Sequence, residues 1–333
     1  MDRTTAEKEW FRRISGGRPV APLGKPTSDQ TSDQASSKPR PKPQPTAKKH
    51  GNGFGDIAGM EDLKQRVKEG FINVLQHRDL ADAYGIRPPS MLFYGPAGCG
   101  KTFFAEKMAE EVGIHFIKVV PDDLASTMVH GTQEKIGEVF KNAERHAPAL
   151  LFFDEFDAMV PRRTGNEYNQ HYDSEVNEFL CMLNHASDKG VYVLAATNHP
   201  ERIDKAVLRT GRIDELVYVD MPDHEARKSL FALELAKLSR EEDIDMDRLA
   251  HLTQGFNCSD INYIVKSAAR KKFNEAIGCG EHTLQNITQK QLEEIISGRS
   301  PSVSSRDLRE YQRVHREFSP KDKGGQPASI GFR

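Results

Sequence analysis

The residue types best suited to chemistry form one glycine-rich run, Gly95-Pro96-Ala97-Gly98-Cys99-Gly100-Lys101-Thr102. It directly follows the apolar stretch Met91–Tyr94 and precedes a helical pattern over Phe103–Val112. A loop of this composition between a strand and a helix turns successive backbone N–H groups toward one point. The positive end of the helix adds to them, and the combination suits phosphate. Lys101 would neutralise β- and γ-phosphates, and the Thr102 hydroxyl would ligate Mg²⁺. Cys99 reads as a small packed residue, with a redox-sensitive thiol as the alternative.

A second apolar run, Leu150–Phe153, ends in Asp154 and Glu155, 53 residues after Lys101. An acid there can hold Mg²⁺ through water, and its neighbour can take a proton from an attacking water. Two adjacent carboxylates at a strand end are common, so the pair gains meaning from the loop before it. A third apolar run, Val191–Ala195, leads to Thr197 and Asn198. The Asn198 amide could lie between a γ-phosphate and the lytic water; alone, an Asn opening a turn before Pro200 explains it equally well. Further on, Arg209 and Arg212 flank a glycine and could present guanidinium groups to phosphate oxygens, more plausibly those of a neighbouring subunit. A surface salt-bridge pair is the local alternative.

These residues need a frame that brings strand ends together. Strand patterns at Met91–Tyr94, Phe116–Val119, Leu150–Phe153, Val191–Ala195 and Leu216–Val219 alternate with longer helical patterns. Such alternation predicts βαβ units around a parallel sheet, an α/β fold of the phosphate-loop type. After Pro222 the patterns are helical, as in Ala226–Leu238 and Asp260–Phe273, which predicts a small α-helical domain. The expected division is a basic Pro/Ser-rich arm at 1–50, a large α/β domain at 51–222, helices at 223–300, and a terminal helix and tail at 301–333.

Charge follows the same division. Lys and Arg number 47 and Asp and Glu 49, a balance of −2. Residues 1–50 hold 11 basic and 5 acidic side chains, so a basic arm adjoins an acidic body. Seven of the 18 prolines lie between Ser15 and His50, where Val20 and Leu23 are the only large apolar residues. That segment cannot offset the entropy of folding and is predicted to be disordered. No apolar run approaches the ~18–20 residues needed to span a bilayer, and residues 1–10 lack the apolar core of a secretory leader. Cys99, Cys181, Cys258 and Cys279 show no paired metal-site spacing. A reducing, cytoplasmic setting is the expectation.

Taken together, the motifs resemble the AAA+ ATPases, particularly the remodelling members of the katanin, spastin and valosin-containing-protein type. The resemblance runs from about Phe54 to Phe318. Gly95–Thr102 matches Walker A, Leu150–Glu155 Walker B, Asn198 sensor 1, and Arg209 with Arg212 the paired arginine fingers. The resemblance implies an ATP hydrolase with ATP and Mg²⁺ as ligands. Asp56 and Ile57 would border adenine, and Phe103 would continue the nucleotide site. The turn Thr253-Gln254-Gly255-Phe256-Asn257-Cys258-Ser259-Asp260, with Gln254 at the nucleotide, would close over it. It further implies a homo-oligomeric ring, usually a hexamer, that unfolds or disassembles protein substrates through pore loops. The matching segments are Met128-Val129-His130, without the usual aromatic, and a polar stretch with Tyr168 and Tyr172. Pro301–Tyr311 resembles the family's terminal helix, with Ser304 and Asp307 in capping-box positions and Leu308, Tyr311 and Phe318 on its apolar face. A second reading is remodelling of nucleic acid or a cytoskeletal polymer through the basic arm. The acidic body, and an arm whose only large aromatics are Trp10 and Phe11, count against that.

Overall fold

The structure is a computed structural model that describes residues 51–124, 131–162, 179–209, 211–278 and 285–318. The strands are β1 (Met91–Tyr94), β2 (His115–Val119), β3 (Ala149–Phe153), β4 (Val191–Thr197) and β5 (Glu215–Tyr218). They form a five-stranded sheet in the order β2-β3-β4-β1-β5, every pair parallel. The longer helices are α1 (Lys101–Val112), α2 (Gly131–Arg145), α3 (His224–Leu235), α4 (Met246–Leu252), α5 (Cys258–Gly278), α6 (Gln289–Ser297) and α7 (Ser305–Phe318).

A parallel sheet covered on both faces must be apolar at successive residues, which is why β1, β3 and β4 read as unbroken hydrophobic runs. All four residues of β1, all five of β3 and all seven of β4 are buried. Met91, Phe93, Leu150, Phe152 and Leu194 point to one face, where Phe71 and Phe104 cover them. Leu92, Leu151, Phe153, Val193 and Ala195 point to the other, under Phe140, Phe156 and Phe179. Burying each such phenylalanine is worth about 1.5–3 kcal/mol relative to leaving it exposed.

After Pro222 the described chain is helical apart from an isolated bridge between Arg240 and Ile287. These helices build a core of their own around Phe231, Leu249, Ile261, Ile264 and Leu292. Their starts are capped by side chains: Asp223 accepts from the Ala226 N–H at 2.7 Å, Asp245 from Arg248 at 2.9 Å and Thr288 from Gln291 at 3.2 Å. At α7 the expected reciprocal cap forms. The Asp307 N–H donates to Ser304 Oγ at 3.2 Å, and the Ser304 N–H to Asp307 Oδ2 at 3.3 Å. The first turn of that helix therefore starts where its sequence says. Its inner face is wider than Leu308, Tyr311 and Phe318, because Val314 is buried and His315 also packs inward.

Candidate functional site

Parallel strands deliver the ends of β1, β3 and β4 to one edge of the sheet, the edge where open α/β folds bind ligands. Register sets the neighbours: Tyr94 pairs with Thr197 and Phe153 with Ala195. Gly95, Asp154 and Asn198, which follow those strands, therefore emerge side by side. The run Gly95–Thr102 makes the turn from β1 into α1, whose helical residues begin at Lys101, two before the pattern predicted.

Close approach explains two of the glycines. Gly95 has φ +144°, and a Cβ there would stand 2.2 Å from the Val219 carbonyl oxygen. Gly98 has φ +76°, and a Cβ there would stand 2.5 Å from the Asn257 amide nitrogen. Lys101 is buried, and its ammonium donates to the carbonyls of Gly95 at 2.9 Å and Pro96 at 2.8 Å. Burial pushes its pKa down to about 8. A buried ammonium in that position is completed by an anion, so the loop fits a polyphosphate. Cys99 is fully buried, with its Sγ 3.5 Å from the Met221 thioether. Burial lifts its thiol to about 12, which makes it a packing residue rather than a reactive one. Phe103, by contrast, is half exposed, with the Lys107 ammonium 5.5 Å from its ring centre.

The Thr102 hydroxyl donates to Asp154 Oδ2 at 3.0 Å, placing two hard oxygen donors together, a set suited to Mg²⁺. The same carboxylate oxygen lies 2.8 Å from the ammonium of Lys118 on β2. Glu155 is exposed and adopts the left-handed conformation at φ +51°, its N–H donating to Asp154 Oδ1 at 3.1 Å. A non-glycine residue held there carries roughly 1–2 kcal/mol of backbone strain, a feature that gathers at working sites. On β4, the buried Thr197 hydroxyl donates to Asp157 Oδ1 at 2.5 Å and accepts from the His199 N–H at 2.8 Å. That pair of bonds pins the backbone on either side of the half-buried Asn198. Asp157 thus anchors a strand end inside its own chain.

Asp56 faces Lys107 at 2.9 Å and also accepts from the Asn52 amide at 3.0 Å. Hydrogen bonds from Lys107 and Asn52 hold its carboxyl below the usual range. Ile57 is buried in the same cluster as Cys99 and Phe104. Arg209 is exposed; Arg212 is half-buried and donates to the Ala206 carbonyl at 2.6 Å. Met128, Val129, His130, Tyr168 and Tyr172 lie outside the described residues.

Gln254 sits exposed on its turn. The residues of that turn that reach the loop are Asn257, whose amide donates to the Ala97 carbonyl at 3.1 Å, and Ser259, whose N–H donates to the Gly98 carbonyl at 3.0 Å. The terminal helix reaches the same place. His315 Nδ1 is 2.9 Å from the Tyr94 hydroxyl, and its ring stacks on Tyr218 with centres 4.2 Å apart. On the same helix Tyr311 is half-buried, and burial raises its pKa. None of Asn257, Lys118 and His315 stood out in the sequence. Lys118 carried one weak signal, a lone cation near the end of a strand otherwise rich in apolar residues.

Residues 91–221 match the family described as "ATPase family associated with various cellular activities (AAA)". The chain is 33% identical over 273 residues to a cell division cycle protein 48 homolog of Archaeoglobus fulgidus, covering 79% of this chain and 37% of that protein. It is likewise 33% identical over 241 residues to a protein of Plasmodium falciparum named for a cell division cycle ATPase, covering 72% of this chain and 19% of that one. The chain thus spans well under half the length of these relatives. Among the described residues no helix is long and apolar enough to cross a membrane. The matched segment runs from β1 through β5 and holds the glycine loop, the acidic end of β3 and the Asn198 edge, so residues 91–221 are an ATPase domain of the AAA family, in a chain that resembles the modules of the cell division cycle 48 type.

Proposed function

We propose that this chain works as a Mg²⁺-dependent, ring-forming ATPase that draws polypeptides apart, with residues 1–50 recruiting the substrate. Lys101 and the backbone of Gly95–Gly100 hold the β- and γ-phosphates, while Thr102 and Asp154 hold the metal. Bound Mg²⁺ spreads the negative charge of the triphosphate. Glu155 takes the proton of the attacking water, and the Asn198 amide orients that water. Asp56, Ile57 and Phe103 flank the nucleoside side of the loop, and the helices from 223 to 300 close over it.

The observation that carries this reading is the gathering of Lys101, Thr102, Asp154 and Glu155 at one sheet edge while Arg209 stands exposed and Arg212 is tied to its own Ala206 carbonyl. An exposed arginine such as Arg209 is free to serve a neighbour's site, and head-to-tail contacts of that kind close into rings. An arginine given across an interface adds roughly 10³–10⁵ in rate. Met128, Val129, His130, Tyr168 and Tyr172 then line the central opening and grip the chain being pulled.

ATP hydrolysis per subunit, measured against protein concentration with particle mass followed by light scattering, is expected to rise as the particle grows beyond one subunit. Constant activity across a range where the mass stays that of a monomer removes the ring and the neighbour's arginines together.

Closure of the helices has its own test at Asn257. The Asn257→Ala change deletes the amide bond to Ala97, a hydrogen bond worth about 0.5–1.5 kcal/mol. Affinity for a fluorescent ADP is expected to fall roughly two- to tenfold. An unchanged dissociation constant means this contact is not part of the closed site.

A further inference from the structure

Lys118 has no place in the scheme above, yet it makes the shortest ionic contact at the metal-type oxygens. Its Nζ lies 2.8 Å from Asp154 Oδ2, the oxygen that also accepts from Thr102 at 3.0 Å, while Asp154 Oδ1 accepts from the Glu155 N–H at 3.1 Å. Both carboxylate oxygens are thus occupied by the chain's own donors. The contact follows from the sheet. Lys118 pairs with Phe152 and Val119 with Phe153, and the Asp154 N–H donates to the Val119 carbonyl at 3.0 Å, so β2 and β3 end level. Val119 is buried on one face of β2, and Lys118, which points to the other, has its side chain 41% exposed. That exposure leaves the ammonium free to turn into water when another cation arrives.

We propose that Lys118 is a resident counter-ion of Asp154 that competes with the divalent metal, and so sets the Mg²⁺ concentration at which nucleotide is bound in its metal-loaded form. This rests on the reading that Asp154 and Thr102 hold the metal. Two cations crowded on one carboxylate oxygen repel each other and the carboxylate neutralises only one charge, so metal binding at Asp154, direct or through water, and the Lys118 contact oppose each other. Metal entry therefore displaces Lys118, and the displaced ammonium stays tethered nearby as a repelling charge. A partly exposed ion pair is weak, so the competition tunes metal affinity without blocking it. Lys118 is a positioning residue: it touches Asp154, not the reacting atoms.

The test is Mg²⁺ titration of fluorescent-ADP binding at fixed ionic strength, using the whole chain and following binding instead of turnover. Lys118→Met is expected to lower the Mg²⁺ midpoint by roughly three- to tenfold, since both the competing pair and the local repulsion disappear. Lys118→Arg keeps the charge and should keep the wild-type midpoint, and Lys118→Gln serves if the Met variant melts early. A midpoint that is unchanged or raised in the neutral variants overturns the proposal, the first marking an idle surface pair and the second a lysine that assists the metal. Asp154→Asn separates the two layers. If it removes the Mg²⁺ dependence while Lys118→Met leaves it intact, only the lysine proposal fails. If Asp154→Asn itself leaves the midpoint untouched, the metal assignment falls and the lysine proposal with it.

Discussion

Replacing Glu155 with Gln is expected to leave nucleotide binding near wild type and to lower steady-state phosphate release by roughly 10²–10⁴-fold, the contribution of a positioned general base. The amide has the shape of the acid but cannot accept a proton from water. Two features of the residue make the experiment clean. Glu155 is exposed, so the loss of its charge should change stability by no more than about 0.5 kcal/mol. Its backbone is left-handed at φ +51°, a strain that Gln inherits unchanged. The N–H that supports Asp154 Oδ1 is also kept. Turnover close to wild type in this variant would remove Glu155 from the chemistry. Loss of fluorescent-ATP binding would instead assign it to holding nucleotide. Glu155→Gly separates strain from chemistry: relief of the left-handed conformation should raise stability by roughly 1 kcal/mol while turnover still collapses.

The largest structural effect is expected at Asp260. Its side chain is only 1% exposed, yet it accepts from Arg299 at 2.8 Å, from the Ser302 N–H at 3.0 Å and hydroxyl, and from the Asn257 N–H at 3.3 Å. One carboxylate thereby joins the start of α5 to the segment that leads into α7. It also sets Asn257, the residue whose amide reaches the glycine loop. Truncation to Ala leaves the partly buried Arg299 guanidinium and the N–H groups of the buried Asn257 and of Ser302 without their acceptor. The expected cost is about 3–5 kcal/mol, the range for breaking one side of a buried ion pair. That corresponds to a fall in melting temperature on the order of 10 °C. A loss under ~1 kcal/mol would show that the network is not what holds these helices together.

The same group gives a pH signature. Burial alone would push the Asp260 carboxyl up, but the bonds from Ser302, Arg299 and Asn257 outweigh it and leave the pKa below the ordinary value. A depressed carboxylate contributes stability that is fully present above the unfolded-state pKa, about 3.9, and is lost as pH falls through the folded value. The stability gap between wild type and Asp260→Asn is therefore expected to stay constant from neutral pH to about 5 and to shrink below about 4. Denaturant titrations at several pH values check this. A gap that widens in acid would reverse the sign of the assignment.

Much of this site was legible in the linear sequence because its parts are local. The glycine run, its lysine and its threonine are contiguous, and a strand buried on both faces announces itself as an apolar run, as at Leu150–Phe153 and Val191–Ala195. The cap of α7 was likewise visible, since Ser304 and Asp307 stand three apart on one turn. The signals were weaker where a side chain's task depends on the direction in which an element leaves its turn. In Thr253–Asp260 the sequence drew attention to Gln254, but α5 departs so that Asn257 and Ser259 meet the loop. Helical periodicity likewise placed Leu308, Tyr311 and Phe318 on one face without indicating that His315 would lie on Tyr218 and Tyr94.

What the sequence determined alone is therefore the set of chemical groups and the strands and helices that carry them, since both follow from short-range patterns of size, polarity and backbone preference. Which strands lie side by side was decided only in three dimensions. Parallel pairing joins segments separated by a crossover, so no local pattern states that β2 ends beside β3 or that β1 lies between β4 and β5. The contact of Lys118 with Asp154, 36 residues apart in the chain, exists because of that lateral order and for no reason visible along the chain.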